Sequence, residues 1–250
     1  MILTQPVALV TGAGRNIGRA IALGLAASGH ALAVNVRTSI AEGQAVVDEI
    51  VAGGGRALVL AADVGDRDAV RAMVQRIAHE WGRLDVLVNN AAIRREAGLA
   101  ALSADDWHDT LRVVLDGAFF CTQASLPLLK ASKQAAIVNI GGLTAHTGAT
   151  DRVHVVTAKA GLVGMTRALA HDLAAHNITV NCVAPGLIDT VRQASSASAA
   201  PRHHATHSAL LGRRGLPREV AQAVVYLAGD AARFITGQVL HVNGGAYLGG

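Results

Sequence analysis

Aromatic side chains are scarce, with three phenylalanines, two tyrosines and two tryptophans making up 3% of 250 residues. The apolar half of the chain, 51%, is therefore mostly alanine, valine and leucine, a composition suited to close packing of helices on a parallel sheet. Cysteine is almost missing. Cys121 and Cys182 both sit inside apolar segments, which excludes a disulfide framework and reads as two buried small hydrophobes in a reducing compartment. Charge of one sign is also missing. The net charge is only +4 and the basic residues are scattered, so the clustered stripe expected of a nucleic-acid partner is absent. No apolar run approaches about 18 residues, so no membrane span is expected. The first residues carry no charged export region or cleavage site, and a cytoplasmic location is expected.

What is present is alternation. Short apolar runs at 7–10, 31–36, 57–61, 84–89, 137–140, 179–184 and 239–242 read as strands. Helical patterns lie between them at 17–28, 41–52, 66–81, 157–176 and 219–227. Ser103 with Asp106 reads as a capping box opening a further helix, and a helical stretch continues to Lys130, with Gly117 and Pro127 as weak points in its continuity. This rhythm predicts an α/β fold, a Rossmann-type doubly wound parallel sheet with right-handed crossovers. No repeat or linker divides it, so residues 1–250 form a single domain. The rhythm breaks at 187–214, a polar stretch containing His203, His204 and His207, which reads as a flexible substrate flap. Those histidines have no carboxylate beside them, and no metal site is expected.

Thr11-Gly12-Ala13-Gly14-Arg15-Asn16-Ile17-Gly18 joins the first strand to the first helix. Glycines there let the backbone approach a pyrophosphate at the helix N-terminus. The second strand ends at Val36, where an NAD site would need an acid for the ribose hydroxyls, and Arg37 follows it. Arg37, with Arg15 as a second clamp, points to NADP(H) rather than NAD(H).

These motifs, together with Ala62-Asp63-Val64, Asn89-Asn90-Ala91-Ala92, Ile137-Val138-Asn139-Ile140, Lys159-Ala160-Gly161-Leu162, Asn181-Cys182-Val183-Ala184-Pro185-Gly186 and the stretch from Gly237 to Gly245, resemble the short-chain dehydrogenase/reductase family over essentially the whole chain. The resemblance implies that Gly12, Arg15, Asn16, Ile17 and Gly18 cradle the cofactor and that Asp63 and Val64 lie near the adenine. Asn90 and Ala91 would lie close to the cofactor, Pro185, Gly186 and Thr190 would line the nicotinamide, and Lys159 would bond its ribose. Asn16 stands where the family turn usually has glycine, and asparagine tolerates the left-handed backbone that glycine supplies.

The same resemblance exposes a gap. Family members use a tyrosine four residues before the lysine as proton donor, a serine to hold the carbonyl oxygen and an asparagine to hold a relay water. Anchored on Lys159, those positions fall on Val155, Gly142 and Val114. None of the three can donate a proton or polarise an oxygen. The chain is thus an atypical member, and an acid worth roughly 10²–10⁴-fold in rate has to come from elsewhere. The candidates are Lys159 itself, directly or through water; His154, which reads equally as a partly exposed first-turn histidine; Thr144, an orienting hydroxyl; and His146 in the same loop. Tyr226 and Tyr247 are remote in sequence. Arg94 and Arg95 follow the fourth strand where substrate should lie and hint at an anionic small molecule.

Two functions fit this pattern. One is an NADP(H)-dependent oxidoreductase acting on a small carbonyl, imine or enone through a non-standard donor. The other is a catalytically inactive dinucleotide-binding relative with a sensing or scaffold role. A homodimer or homotetramer is implied in either case by the resemblance.

Overall fold

The computed structural model describes residues 3–190 and 208–249. Seven strands form one sheet: β1 (Val7–Val10), β2 (Ala31–Val36), β3 (Ala57–Ala61), β4 (Val86–Asn89), β5 (Ala136–Ile140), β6 (Thr179–Pro185) and β7 (Val239–Val242). Their order is β3-β2-β1-β4-β5-β6-β7, and every pairing is parallel. The expected doubly wound fold is therefore observed. Chain direction across the sheet reverses where β1 lies between β2 and β4, and an open sheet of this kind binds ligands beyond the strand ends at that point.

The helices are α1 (Asn16–Ala27), α2 (Ile40–Ala52), α3 (Arg67–Trp81), α4 (Ala104–Leu111), α5 (Gly117–Ala131), α6 (Thr144–Thr147), α7 (Val153–Leu173) and α8 (Pro217–Ala228). They cover both faces, and the strand pleat decides which residues meet them. Ala8 and Val10 join the core beneath α1, α2 and α8, while Val7 and Leu9 join the one beneath α3, α5 and α7. This two-sided burial is why the strands read as unbroken apolar runs. Helix α1 buries Ile17, Ile21 and Leu25 on one stripe, each contributing roughly 1.5–3 kcal/mol. Asp66 caps α3 by accepting from the Asp68 and Ala69 amides, and Ser103 accepts from the Asp106 amide at 3.0 Å as the capping-box reading expected.

Several boundaries differ from the sequence expectation. The helical stretch opened by Ser103 does continue past Gly117 and Pro127 as expected, but through a π-helical stretch, Arg112–Asp116, that joins α4 to α5. Helix α7 starts at Val153, four residues before the expected 157. Its β-branched start is a poor helix former in isolation, but burial of His154, Val155, Ala158 and Lys159 in the folded chain overrides that preference. It ends at Leu173, followed by a short 3₁₀ turn to His176 and a left-handed Asn177. Proline at its first position and Glu219, which accepts from the Leu216 amide at 2.7 Å, start α8 earlier than 219.

Most of the expected flap, 191–207, lies outside the described residues, including His203, His204 and His207. The two stems of 187–214 are described, and they meet: Asp189 donates to Gly215 at 2.8 Å and Gly215 donates to Leu187 at 2.9 Å.

Candidate active site

The turn after β1 is built for close approach. Gly12 has φ +62, and a Cβ on Gly18 would lie 2.2 Å from the Gly12 carbonyl oxygen and 2.6 Å from Asn90 Nδ2. Asn16 has φ 51, the left-handed conformation expected of it. Arg15 precedes α1 in an extended conformation, and its side chain lies 3.9 Å from Glu42, both about half exposed. Ile17 is buried beneath the turn.

Three polar side chains hold this turn in place. Asn90 donates to the carbonyls of Thr11 and Gly12 at 2.8 and 3.1 Å. The Thr11 hydroxyl accepts from the amides of Asn90 and Ala91 at 2.9 and 3.0 Å. Asn35, fully buried in β2, accepts from the Gly12 amide and donates to the carbonyls of Leu60 and Ala62. Sequence reading did not single out Asn35 or Thr11. An asparagine inside an otherwise apolar strand was the available signal, because a buried amide needs several partners. Arg37 follows Val36 and is exposed.

Asp63 and Val64 follow β3. Asp63 accepts from the Gly65 amide at 2.9 Å and from Arg112 at 3.2 Å, a pairing that sequence reading also missed. Val64 packs on Gly117, whose Cβ would stand 2.8 Å from it. At the end of β6, the Pro185 carbonyl accepts from Leu143 and the Gly186 amide donates to Val242, both at 2.9 Å. Gly186 has no room for a side chain, since a Cβ would lie 2.7 Å from Asn243. Thr190 is the last described residue before 191. The structure therefore gathers the expected cofactor residues along the C-terminal ends of β1, β2, β3, β4 and β6, around the point where strand order reverses.

The chemical end is different. Lys159 is buried, and its ammonium donates to the carbonyl of Ile140 at the end of β5. Burial first, then the charges of Arg94 and Arg152, push its pKa down to about 7, with Cys182 acting in the opposite direction. Val155, one helical turn before it, is 3% exposed. A Cβ on Gly142 would meet nothing within 4 Å, so the space where a serine side chain would project is open. Val114 lies in the π-helical stretch and packs with Ala118, Ala158 and Leu162 in a small apolar core.

The other candidates separate. His154 is fully buried, which overturns the reading of it as a partly exposed residue. Neither ring nitrogen makes a well-formed hydrogen bond. Burial and Arg152 lower its pKa, while the Arg95 backbone and Asp106 oppose them. It thus faces α4 and the loop after β4, about 140° around the helix from Lys159. Thr144 opens the four-residue α6, two positions beyond Gly142. His146 is not a solvated loop residue. It packs against His241 with ring centroids 4.6 Å apart and stacks on Tyr247 at 5.4 Å. Tyr247, remote in sequence, thus reaches the loop after β5 within its own chain. Burial lowers the pKa of both histidines. Arg95 forms an ion pair with Asp106. Among the described residues no group of three or more metal-ligating side chains is present.

A seven-stranded parallel sheet with a glycine cradle at its switch point defines a dinucleotide-binding α/β protein. Comparison with known proteins narrows this. Residues 12–247 match the family described as Enoyl-(Acyl carrier protein) reductase. A 3-oxoacyl-(acyl-carrier-protein) reductase FabG of Staphylococcus aureus is 40% identical over 241 residues, 96% of this chain and 98% of its own. The hydroxy(phenyl)methyl-succinyl-CoA dehydrogenase subunit BbsD of Thauera aromatica is 41% identical over 99% of each chain. A short-chain dehydrogenase of Burkholderia cenocepacia, crystallised in complex with NADP, superposes with a TM-score of 0.89 at 37% identity, covering 96% of this chain and 97% of its own. The chain belongs to the short-chain dehydrogenase/reductase family and is an oxidoreductase of that type. No helix among the described residues is long and apolar enough to cross a membrane.

Proposed function

We propose that this oxidoreductase uses NADP(H) in preference to NAD(H) to reduce a small carbonyl, imine or enone, with Lys159 as proton donor in place of the absent tyrosine. The observation that carries this reading is the buried Lys159 ammonium beside Val155 and the open space at Gly142. A pKa near 7 suits a general acid at neutral pH.

The cradle of Gly12, Asn16, Gly18 and Asn90 fits a pyrophosphate, because added side chains there would collide with backbone. Apolar Val36 offers nothing to ribose hydroxyls, whereas exposed Arg37 and half-exposed Arg15 suit a 2′-phosphate. Asp63 and Val64 would border the adenine, Asn90 and Ala91 would lie close to the cofactor, and Pro185, Gly186 and Thr190 would line the nicotinamide. The nicotinamide supplies the hydride. Lys159 holds the proton at Nζ, Thr144 orients the substrate oxygen, and the apolar Val155 and Val114 keep water from the reacting atoms. Buried His154 packs α7 against α4 rather than delivering the proton. A cytoplasmic homodimer or homotetramer is part of the same reading, supported by exposed Tyr226 and Leu240 beside the open edge of β7.

The alternative, a dinucleotide-binding protein without turnover, is favoured by Val155, Gly142 and Val114 together. NADPH oxidation over a panel of ketones, imines, enones and a 3-oxoacyl thioester separates the two. Turnover by the native chain that Lys159→Met abolishes and His154→Ala spares supports the donor assignment. Turnover only by a Gly142→Ser/Val155→Tyr double variant refutes it and favours the non-catalytic protein.

A further inference from the structure

Resting on the dinucleotide-site reading, we infer that Glu42 is a specificity-determining residue of the cofactor site. Its carboxylate holds Arg15 and occupies the side of the glycine turn where a 2′-phosphate would bind, so it restrains NADPH and keeps the site open to NADH. Glu42 lies in the first turn of α2. That turn is fixed on the end of the sheet, because a Cβ on the buried Gly43 would stand 2.8 Å from Val59 and 3.0 Å from Val36. Its neighbour Glu42 is thereby brought over the turn after β1. A Cβ on Gly14 would lie 3.1 Å from Val36 Cγ1, 3.3 Å from Glu42 Cβ and 3.5 Å from Glu42 Oε2. The bare glycine makes this space, and Val36 and Glu42 share it. The other carboxylate oxygen, Glu42 Oε1, is 3.9 Å from Arg15 Nη1, with both side chains about half exposed.

An NAD site places an acid after the second strand for the ribose hydroxyls. Val36 ends that strand here, and Glu42 returns a carboxylate to the same side of the turn from the helix. The two arginines that suit a 2′-phosphate are thus unequal. Arg37 follows β2 and is exposed, whereas Arg15 already faces a carboxylate, and that carboxylate repels a phosphate. Binding NADPH requires Arg15 to exchange partners beside this negative charge. Binding NADH does not, because ribose hydroxyls can donate to Glu42 as it stands. A second ion pair, Arg19 with Glu49, joins the same two helices but lies about two turns further along α2, away from the glycine turn. First-turn acids also favour a helix through its dipole, a role that does not discriminate between the cofactors.

Fluorescence titration with NADPH and NADH tests this without turnover. Glu42→Gln should raise the ratio of the NADH to the NADPH dissociation constant about tenfold, chiefly by tighter NADPH binding, and the gain should shrink as salt is raised. Glu49→Gln should leave the ratio unchanged. The fragments 2′,5′-ADP and 5′-AMP, as competitors of NADPH, should show the same shift, since neither carries a nicotinamide. An unchanged ratio in Glu42→Gln, with or without a change in Tm, overturns the inference and leaves Glu42 as a helix-stabilising acid. An equal change in Glu49→Gln overturns it in favour of a general effect of charge. The inference and the NADP(H) preference fail separately. A native chain that prefers NADPH and keeps its ratio in Glu42→Gln retains the preference and loses the inference. A native chain that prefers NADH and is turned to NADPH by Glu42→Gln retains the inference and loses the preference. Absence of binding by either nucleotide overturns both.

Discussion

The turn after β1 and the loop after β5 sit at the same edge of one sheet, yet they are finished to different degrees. Around the glycine turn nearly every polar atom has a partner: Asn35, Thr11 and Asn90 each make two or more hydrogen bonds to backbone, and Gly18 has no room for one added carbon. Around Gly142 there is open space, while Val155 and Val114 are buried. A site that binds a fixed ligand rewards rigid complementarity, and the glycine turn shows it. The two regions are coupled by a buried polar chain: Asn89 donates to Asn139 and Asn139 to Thr166, both at 2.9 Å. That chain ties β4, β5 and α7 together beneath both sites, so the helix bearing Lys159 stays in register with the cofactor end.

The largest effect should come from Lys159→Met, which keeps the buried stem and removes the ammonium. It should lower kcat by about 10²–10⁴-fold while NADPH still binds, as read by stopped-flow oxidation beside a fluorescence titration. In the native enzyme only protonated Lys159 can donate. Its depressed pKa predicts that kcat/KM falls as pH rises through about 7; a flat profile would sink the assignment. Gly18→Ala should weaken NADPH binding roughly hundredfold, because the methyl displaces the Gly12 carbonyl and with it the turn. Unchanged affinity would break the contrast between a filled and an open region.

The two replaced positions should themselves behave unequally. Val155→Tyr places a ring where the native side chain is 3% exposed and should cost about 1–3 kcal/mol by urea unfolding, whereas Gly142→Ser should be nearly neutral. Arg37→Ala should reduce the preference for NADPH over NADH about tenfold; an unaltered ratio would move the 2′-phosphate elsewhere. The smallest effect is acid sensitivity. His30, His146, His154 and His241 all have pKa values lowered first by burial from 6.5. Their unfolded forms bind protons more readily, so Tm should fall as pH drops below about 6.5 and level off above it. A His146→Gln/His241→Gln variant should show a shallower fall.

Much of this was legible in the chain. Apolar runs interrupted by helical spacing gave the sheet, because parallel strands covered on both faces admit few polar residues. The glycine turn and the left-handed Asn16 could be read from residue type, since steric rules there act on one residue at a time. Helix boundaries were less legible: α7 begins in a β-branched stretch that only tertiary burial makes helical, and the π-helical segment between α4 and α5 left no local signal. His154 read as partly exposed and is buried, because a neighbouring helix, not its own, covers it.

Composition and spacing alone determined the fold class and the place of the dinucleotide turn, since each depends on residue identity or local period, while the reading of Val155, Gly142 and Val114 as replaced polar groups came from the family resemblance. Only the folded chain decided which cations act together. The charges of Arg94 and Arg152, far apart in sequence, both depress the pKa of Lys159, while Arg95, adjacent to Arg94, pairs with Asp106. Tyr247 likewise reaches His146 only because β7 ends beside the loop after β5. Contacts of this kind depend on distances set by the whole sheet, and no local pattern encodes them.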